Sequence, residues 1–209
     1  MTQEHGIIMS GNHPRLILDG TKTMTRRTYG LKEINEHPNL AQFKGITVLG
    51  EYAFEIDLQD GTTTMKYIKC PYGQVGDRLY CKETWAVDKL WDNEKPSEVN
   101  HLASVWYATD YMGDWVGKTR PSIFMPRWAS RITLEITEVR VERLQEISID
   151  DAFSEGTPMP YERGDGAWND PYVLPRFQEL WDSLYAKRGY SWGTNLFCWV
   201  ISFKVVKGD

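Results

Sequence analysis

Apolar and polar residues alternate most regularly between Ser130 and Leu144, where Ile132, Leu134 and Ile136, then Val139 and Val141, are separated by charged side chains. A period of two is the mark of a strand with one buried face. The slip between Ile136 and Val139 predicts a bulge. The run "NLFCWVISFKVV", from Asn195 to Val206, is apolar almost throughout and reads as a buried closing strand. Shorter strands are predicted over Gly45 to Leu58, Thr63 to Cys70, Asp77 to Trp85 and Ala103 to Asp110, with Asp60-Gly61 as the hairpin turn between the first two.

Three segments carry helical signals. Asn12 can cap, Pro14 suits a first turn and Gly20 a stop, giving a helix from about His13 to Asp19 with Leu16, Ile17 and Leu18 as its apolar stripe. From Thr21 to Thr28 the threonines favour extended backbone, so a strand leaves that helix. Ser148 with Asp151 makes a capping-box-like start and Gly156 a stop, so a short helix carries Glu155 near its end. In "LPRFQELWDSLYAKRG", Pro175 sits in the first turn. Phe177, Leu180, Trp181 and Leu184 recur at helical spacing, and Lys187, Arg188 and Gly189 end the helix.

About six to eight strands with a few short helices and no βαβ rhythm predict an α+β fold, a small curved antiparallel sheet or barrel with helices packed outside. Residues 1–209 read as a single domain, with loops or insertions at about 32–44, 88–102, 111–121 and 157–174.

Composition narrows the function classes. The chain has 209 residues, 41% hydrophobic and 25% charged, enough for one real core. A net charge of −5 excludes a diffusely basic surface that coats nucleic acid, so any such contact must be local. No basic segment leads into an apolar run at the N-terminus, and no stretch reaches the roughly 18 apolar residues of a membrane span, so a cytoplasmic protein with no membrane partner is expected. Cys70, Cys81 and Cys198 are odd in number and far apart, and His5, His13, His37 and His101 are scattered. Neither set has zinc-ligand spacing, and no dinucleotide, P-loop or nucleophile-elbow motif occurs, so neither metal nor cofactor is expected. Arg120, Arg127, Arg131, Arg140 and Arg143 are interleaved with Glu135, Glu138 and Glu142, which predicts a salt-bridged sheet face rather than a phosphate stripe.

The order of short helix, Gly-x-Lys strand, "GDRLY" strand, long amphipathic strand, short acidic helix and apolar last strand resembles the ASCH domain family, whose fold is a β-barrel related to the PUA RNA-binding domain. Gly20, Lys22 and Arg27 stand at the family's signature spacing. Supporting stretches are "YGQVGDRLYCKETW" (Tyr72 to Trp85), with Val75 where proline is usual, and "PSIFMPRWASRITLEITEVRVERLQEIS" (Pro121 to Ser148). The resemblance runs from about Ile7 to Val206 and is to the longer members often encoded by phages and prophages. It implies one of two functions. Small bacterial members are amidohydrolases that deacylate N4-acetylcytidine with a Lys, a Thr and a Glu. Those positions correspond here to Lys22, Thr25 and Glu155. Other members look like RNA binders or ribonucleases and carry Glu at the position of Thr25. The resemblance therefore implies a cofactor-free amidohydrolase for N4-acylated cytosine nucleosides or nucleotides, with an RNA- or nucleotide-binding module as the alternative.

Amide hydrolysis needs a nucleophile, a proton shuttle and a stabiliser for the oxyanion. Either a neutral Lys22 is the base, or Glu155 is the base and Lys22 as a cation holds the oxyanion. Residues an odd number apart on a strand diverge. Lys22 is thus expected in the turn after Gly20, with Thr23, Thr25 and Arg27 on the pocket face, Met24 in the core and Arg26 facing away. Thr23 and Arg27 are candidate ligand contacts. Trp85, Trp168 and Trp192 follow strand ends or lie in Gly-rich loops, and Trp85 and Trp168 are the rings expected to stack on a base.

Overall fold

In the computed structural model, which describes residues 2–58, 60–110, 113, 116–158 and 171–206, the elements run β1 (Glu4–Ile8), α1 (His13–Leu18), β2 (Met24–Arg27), α2 (Lys32–Glu36), β3 (Ala41–Ile46), β4 (Tyr52–Asp57), β5 (Thr63–Ile68), β6 (Arg78–Lys82), β7 (Trp85–Val87), β8 (Val105–Tyr107), β9 (Thr133–Arg143), α3 (Ile149–Ser154), α4 (Val173–Tyr185) and β10 (Phe197–Val206). The architecture is α+β, as the pattern predicts. The strands form a five-stranded sheet in the order β1-β6-β9-β10-β2, a three-stranded sheet β3-β4-β5 and a two-stranded ribbon β7-β8. These ladders are separate and are not joined into one ring. The pairing is antiparallel except for β1, which runs parallel to β6.

The apolar run of β10 is explained by burial on both faces. Phe197, Trp199, Ile201 and Phe203 enter the main core with Ile7, Leu79, Leu134 and Ile136. The three-stranded sheet covers the same core from the other side: the Tyr52 ring meets Trp199 edge-on at 4.7 Å and Phe54 meets Phe197 at 5.2 Å. Leu196 and Cys198, on the alternate face, pack with Phe153 of α3 and Phe177 and Trp181 of α4. A third cluster, Trp85, Val87, Val99, Met125 and Ala129, lies beneath the β7-β8 ribbon.

The long amphipathic strand is β9. Its register against β10 passes from Ser202 opposite Glu138 to Phe203 opposite Ile136, leaving Thr137 as the extra residue where the alternation slips. The run from Gly45 to Leu58 is not one strand. Thr47 Oγ1 accepts from the amides of Leu49 and Glu51 at 3.3 and 3.2 Å and turns the chain between β3 and β4. Residues 32–44 are not a loop either: α2 buries Ile34 in the main core, but five residues are too few to show a helical period. The Asp77 to Trp85 run is likewise divided, its last residue opening β7 in another sheet. Of the expected insertions, 159–170 and most of 111–115 lie outside the described residues. No helix among the described residues is long and apolar enough to cross a membrane.

Two helix stops bring α1 and α3 against each other. Gly20, at φ +82°, ends α1, where its amide reaches Ile17 O at 3.2 Å and Lys22 N reaches Leu16 O at 2.8 Å. Gly156, at φ +75°, follows α3, and a Cβ there would sit 2.9 Å from Leu16 Cδ1 and 3.3 Å from Lys22 Cβ. A Cβ at Gly20 would meet nothing within 4 Å. Gly20→Ala is therefore expected to cost only left-handed backbone strain, about 1–2 kcal/mol. Gly156→Ala is expected to cost distinctly more, because Leu16 must also move. Urea denaturation of both variants checks this, and equal losses would contradict it.

Candidate functional site

The segment between α1 and β2 is stitched to two other elements by backbone hydrogen bonds. Thr23 N donates to Ser154 O, the last residue of α3, at 2.9 Å, and Thr23 O accepts from Phe203 N of β10 at 2.9 Å. This delivers the Lys22 side chain to Glu155, which caps α3. Lys22 Nζ donates to the Glu155 carbonyl oxygen at 2.6 Å and to its carboxylate Oε2 at 2.9 Å. Only 1% of Lys22 and 6% of Glu155 is exposed.

Arg26, 2% exposed, adds a second cation. Its Nη1 lies 3.4 Å from Glu155 Oε1, and its Nη2 donates to Asp151 Oδ2 at 2.8 Å and to Glu142. Arg140 reaches the same two carboxylates, at 2.6 Å to Asp151 and 3.0 Å to Glu142. Burial pushes the Lys22 amine below its ordinary value of 10.5 and outweighs Glu155, which favours the charged form, while Arg27 and Arg26 push in the same direction as burial. Buried ion pairs of this kind add little to stability relative to apolar packing of the same volume. A buried amine with a lowered pKa in an ion pair beside a cleft is instead a functional-site signal.

The cleft has a volume of about 540 Å³, within the range of small-molecule sites. Its walls are β1 with His5 and Ile7, β2 with Thr25, Arg26 and Arg27, the end of α3 with Glu155, and one face of α4 with Phe177, Trp181 and Tyr185. Thr25 stands opposite Ile201 and Arg27 opposite Trp199, so both share the main-core face of the sheet. Arg27 donates from Nη2 to Ile8 O at 2.7 Å and from Nη1 to the Tyr185 hydroxyl at 3.4 Å. The ring nitrogen His5 Nε2 is buried without a hydrogen-bond partner among the described residues. His13, also on the wall, is held down at about 3 by burial first and then by Lys22 and Arg27.

The structure thus brings Thr25, Glu155 and Arg27 to one cleft, with Lys22 behind Glu155 rather than on the wall. Three expectations need correction. Arg26 does not turn away from the cleft: it lies on the opposite strand face from Thr25 and Arg27, but the carboxylates of α3 and β9 draw it inward beside a buried Met24, and its long side chain reaches the cleft wall. Thr23 is exposed and off the cleft, because it precedes β2 and its backbone is already bonded on both sides. Trp85 is fully buried in the third cluster, edge-on to Trp128 at 6.0 Å and under the Arg120 guanidinium, because β7 leaves the main sheet. Trp168 lies outside the described residues. Trp192 packs on Phe177 at 6.1 Å. The salt-bridged face is present for Arg140 with Glu138 and Glu142, and Arg127 and Arg131 pair with Glu4 and Glu83.

Sequence reasoning missed the cleft's histidines and its aromatic wall. The spacing held a signal: Phe177, Trp181, Tyr185 and Arg188 continue one helix face beyond its apolar end, and all four line the cleft.

No protein-family model matches the chain, and no curated protein matches it. The chain is similar in structure to the ASCH domain from Lactobacillus crispatus JV V101, with a TM-score of 0.41 and 13% identity over 97% of this chain and 79% of that one. A DUF984 protein from Enterococcus faecalis V583 gives a TM-score of 0.41 and 10% identity, over 99% of this chain and 77% of that one. Likenesses this distant transfer neither a site nor a reaction.

His13 sets a pH dependence. Its ring titrates near 6.5 when unfolded and near 3 when folded, so between these values the unfolded chain binds the extra proton. Stability from this group is full above about 6.5, falls as the pH drops toward about 3 and changes no further below that. His13→Gln is expected to flatten this part of the acid limb. Urea midpoints of both proteins at pH 7, 5 and 4 check it, and parallel curves would exclude the assignment.

Proposed function

We propose that the cleft is the active site of a cofactor-free amidohydrolase that removes the acyl group from N4-acylated cytosine nucleosides or nucleotides. One observation carries the reading: Lys22 Nζ lies 2.9 Å from Glu155 Oε2 in a dry wall whose cleft side presents Thr25 and Glu155 together. These are the residues implied by the likeness of the Gly-x-Lys-Thr-x-Thr segment from Gly20 to Thr25, and of the short helix after the long strand, to the amidohydrolases.

The chemistry follows from hydrogen-bond capacity. A neutral lysine amine has two N–H bonds and one lone pair. Glu155 O and Oε2 take the two donors, so the lone pair remains to accept a proton. This favours Lys22 as the base over Lys22 as the oxyanion's cation, and its lowered pKa is in the direction a base needs. Thr25 Oγ attacks the acyl carbon, and its proton passes by way of the Glu155 carboxylate on the cleft wall to Lys22 behind it, the route that each later transfer to or from Lys22 also takes. The oxyanion is met by Arg26 Nε, a buried donor without a partner among the described residues. The C–N4 bond then breaks and the Lys22 proton moves to N4, which releases the amine. Water attacks the Thr25 ester and loses its proton to Lys22. The carboxylic acid leaves as Thr25 Oγ recovers that proton. Glu155 keeps the amine aimed throughout.

A module that only binds RNA through a basic stripe is disfavoured, because Arg127, Arg131 and Arg140 are each paired with carboxylates. Incubation of the protein with N4-acetylcytidine, with acetate and cytidine quantified, tests the reaction. Thr25→Ala and Lys22→Met are each expected to lower kcat by about 100-fold or more. Wild-type protein that leaves a series of N4-acylcytidines intact overturns the proposal.

A further inference from the structure

The cleft's charge is not balanced along its length. Among the described residues its wall carries Arg26, Arg27 and Arg188 but one carboxylate, Glu155. Arg26 is compensated by Glu142, Asp151 and Glu155. Among the described residues Arg27 has only neutral partners, the Ile8 carbonyl, the Met9 sulfur and the Tyr185 hydroxyl. Its Nε is buried with no hydrogen-bond partner among the described residues. Arg188 makes no ion pair among them. Tyr29, Tyr72 and Tyr185 line the same cleft. The Tyr72 phenol, pushed up to about 12 by burial, also feels Arg27, Tyr185 and Tyr29, so these groups lie within electrostatic reach of one another.

Two uncompensated guanidinium groups among phenolic hydroxyls form a donor set for an anion. A guanidinium fork matches phosphate oxygens in geometry as well as charge. Burying the Arg27 Nε without an acceptor is costly, and a ligand oxygen would relieve that cost. Arg27 lies two residues beyond Thr25 on the same strand face, about 6–7 Å along the chain. An anion bound there stands apart from the reacting carbonyl while belonging to the same ligand.

Resting on the hydrolase reading, we infer that the substrate is a nucleotide rather than a free nucleoside, its 5′-monophosphate held by Arg27 and Arg188 with the hydroxyls of Tyr29, Tyr72 and Tyr185. The free nucleotide is favoured over a nucleic-acid strand. Among the described residues these two cations of the cleft are the uncompensated ones, and a chain of net charge −5 offers no continuous track for a backbone.

The product side of the reaction separates this inference from the hydrolase reading. Calorimetric titration with cytidine 5′-monophosphate and with cytidine needs no turnover. The monophosphate is expected to bind about tenfold tighter or more, the value of a charge-assisted contact. Arg27→Gln and Arg188→Gln should each shrink that preference toward one. Arg188 is exposed at the end of α4, so its replacement keeps the fold if Arg27→Gln does not. Preference for N4-acetylcytidine 5′-monophosphate over N4-acetylcytidine in kcat/KM should follow the same order. Equal binding of the two products, no binding of the monophosphate, or an unchanged preference in Arg188→Gln overturns the inference. So does a short oligocytidylate that binds more tightly than the mononucleotide, which would assign the phosphates to a strand. Nucleotide preference in binding with no hydrolysis of any acylated cytosine sinks the reaction and leaves the anion site standing.

Discussion

A lysine ammonium removed from water must be matched or neutralised, and the contact between Lys22 and Glu155 is where this chain meets that demand. The contact requires two chain segments 133 residues apart to hold the amine and both acceptors within 3 Å. Side-chain flexibility alone would not keep them there, so backbone bonds do. Lys22 N is tied to α1, Thr23 N to α3 and Thr23 O to β10. The close approach of Gly156 to Leu16 and Lys22 removes the room into which the pair could relax. The ends of two short helices, neither stable alone, are thus fixed by one another and by the sheet.

Strand alternation then divides the labour of β2. Thr25 and Arg27 face the main core and the cleft, while Met24 and Arg26 face α3 and β9. Arg26 bridges the two sides, because its long side chain reaches from the acid cluster to the cleft wall. β10 makes the division possible. It is buried on both faces, so β2 lies at the edge of a sheet that carries a core on each side.

Features that depend on local chemistry were legible in the sequence. The bounds and stops of α1 and α3, the Ser148 cap of α3, the slip in β9 at Thr137 and the buried run of β10 follow from a few neighbouring residues, and each appears at or within a residue or two of its expected place, whereas Asn12 precedes α1 without a side-chain cap bond. The meeting of Lys22 with Glu155 rested on likeness to a family motif, since no periodicity joins residues so far apart. What the pattern hid depends on partners. β1 is five residues long and finds its place only by running parallel to β6, so no local alternation marks it. Trp85 looks like any ring at a strand end until its strand changes sheets. Arg26 reads as outward by alternation, and the face is right. That face is covered by α3, whose acids supply a reason for a cation to be buried there.

The two ends of the cleft differ in how their cations are matched. At the inner end, Lys22, Arg26 and Arg140 meet Glu142, Asp151 and Glu155, so opposite charges are matched and the geometry is held by hydrogen bonds in nearly every direction. Among the described residues that cluster keeps two free valences, the lone pair of a neutral Lys22 amine and the buried Arg26 Nε, which has no acceptor. At the other end Arg27 keeps a buried donor without an acceptor, and the phenols around it can give as well as accept hydrogen bonds. A fold selected only for stability would have closed that deficit with a carboxylate, as it did for Arg131 through Glu83 and Asp110. Among the described residues Arg26 has carboxylate partners and Arg27 has none, and this contrast in ion pairing, more than the shape of the cleft, is what supports an anion beside Arg27.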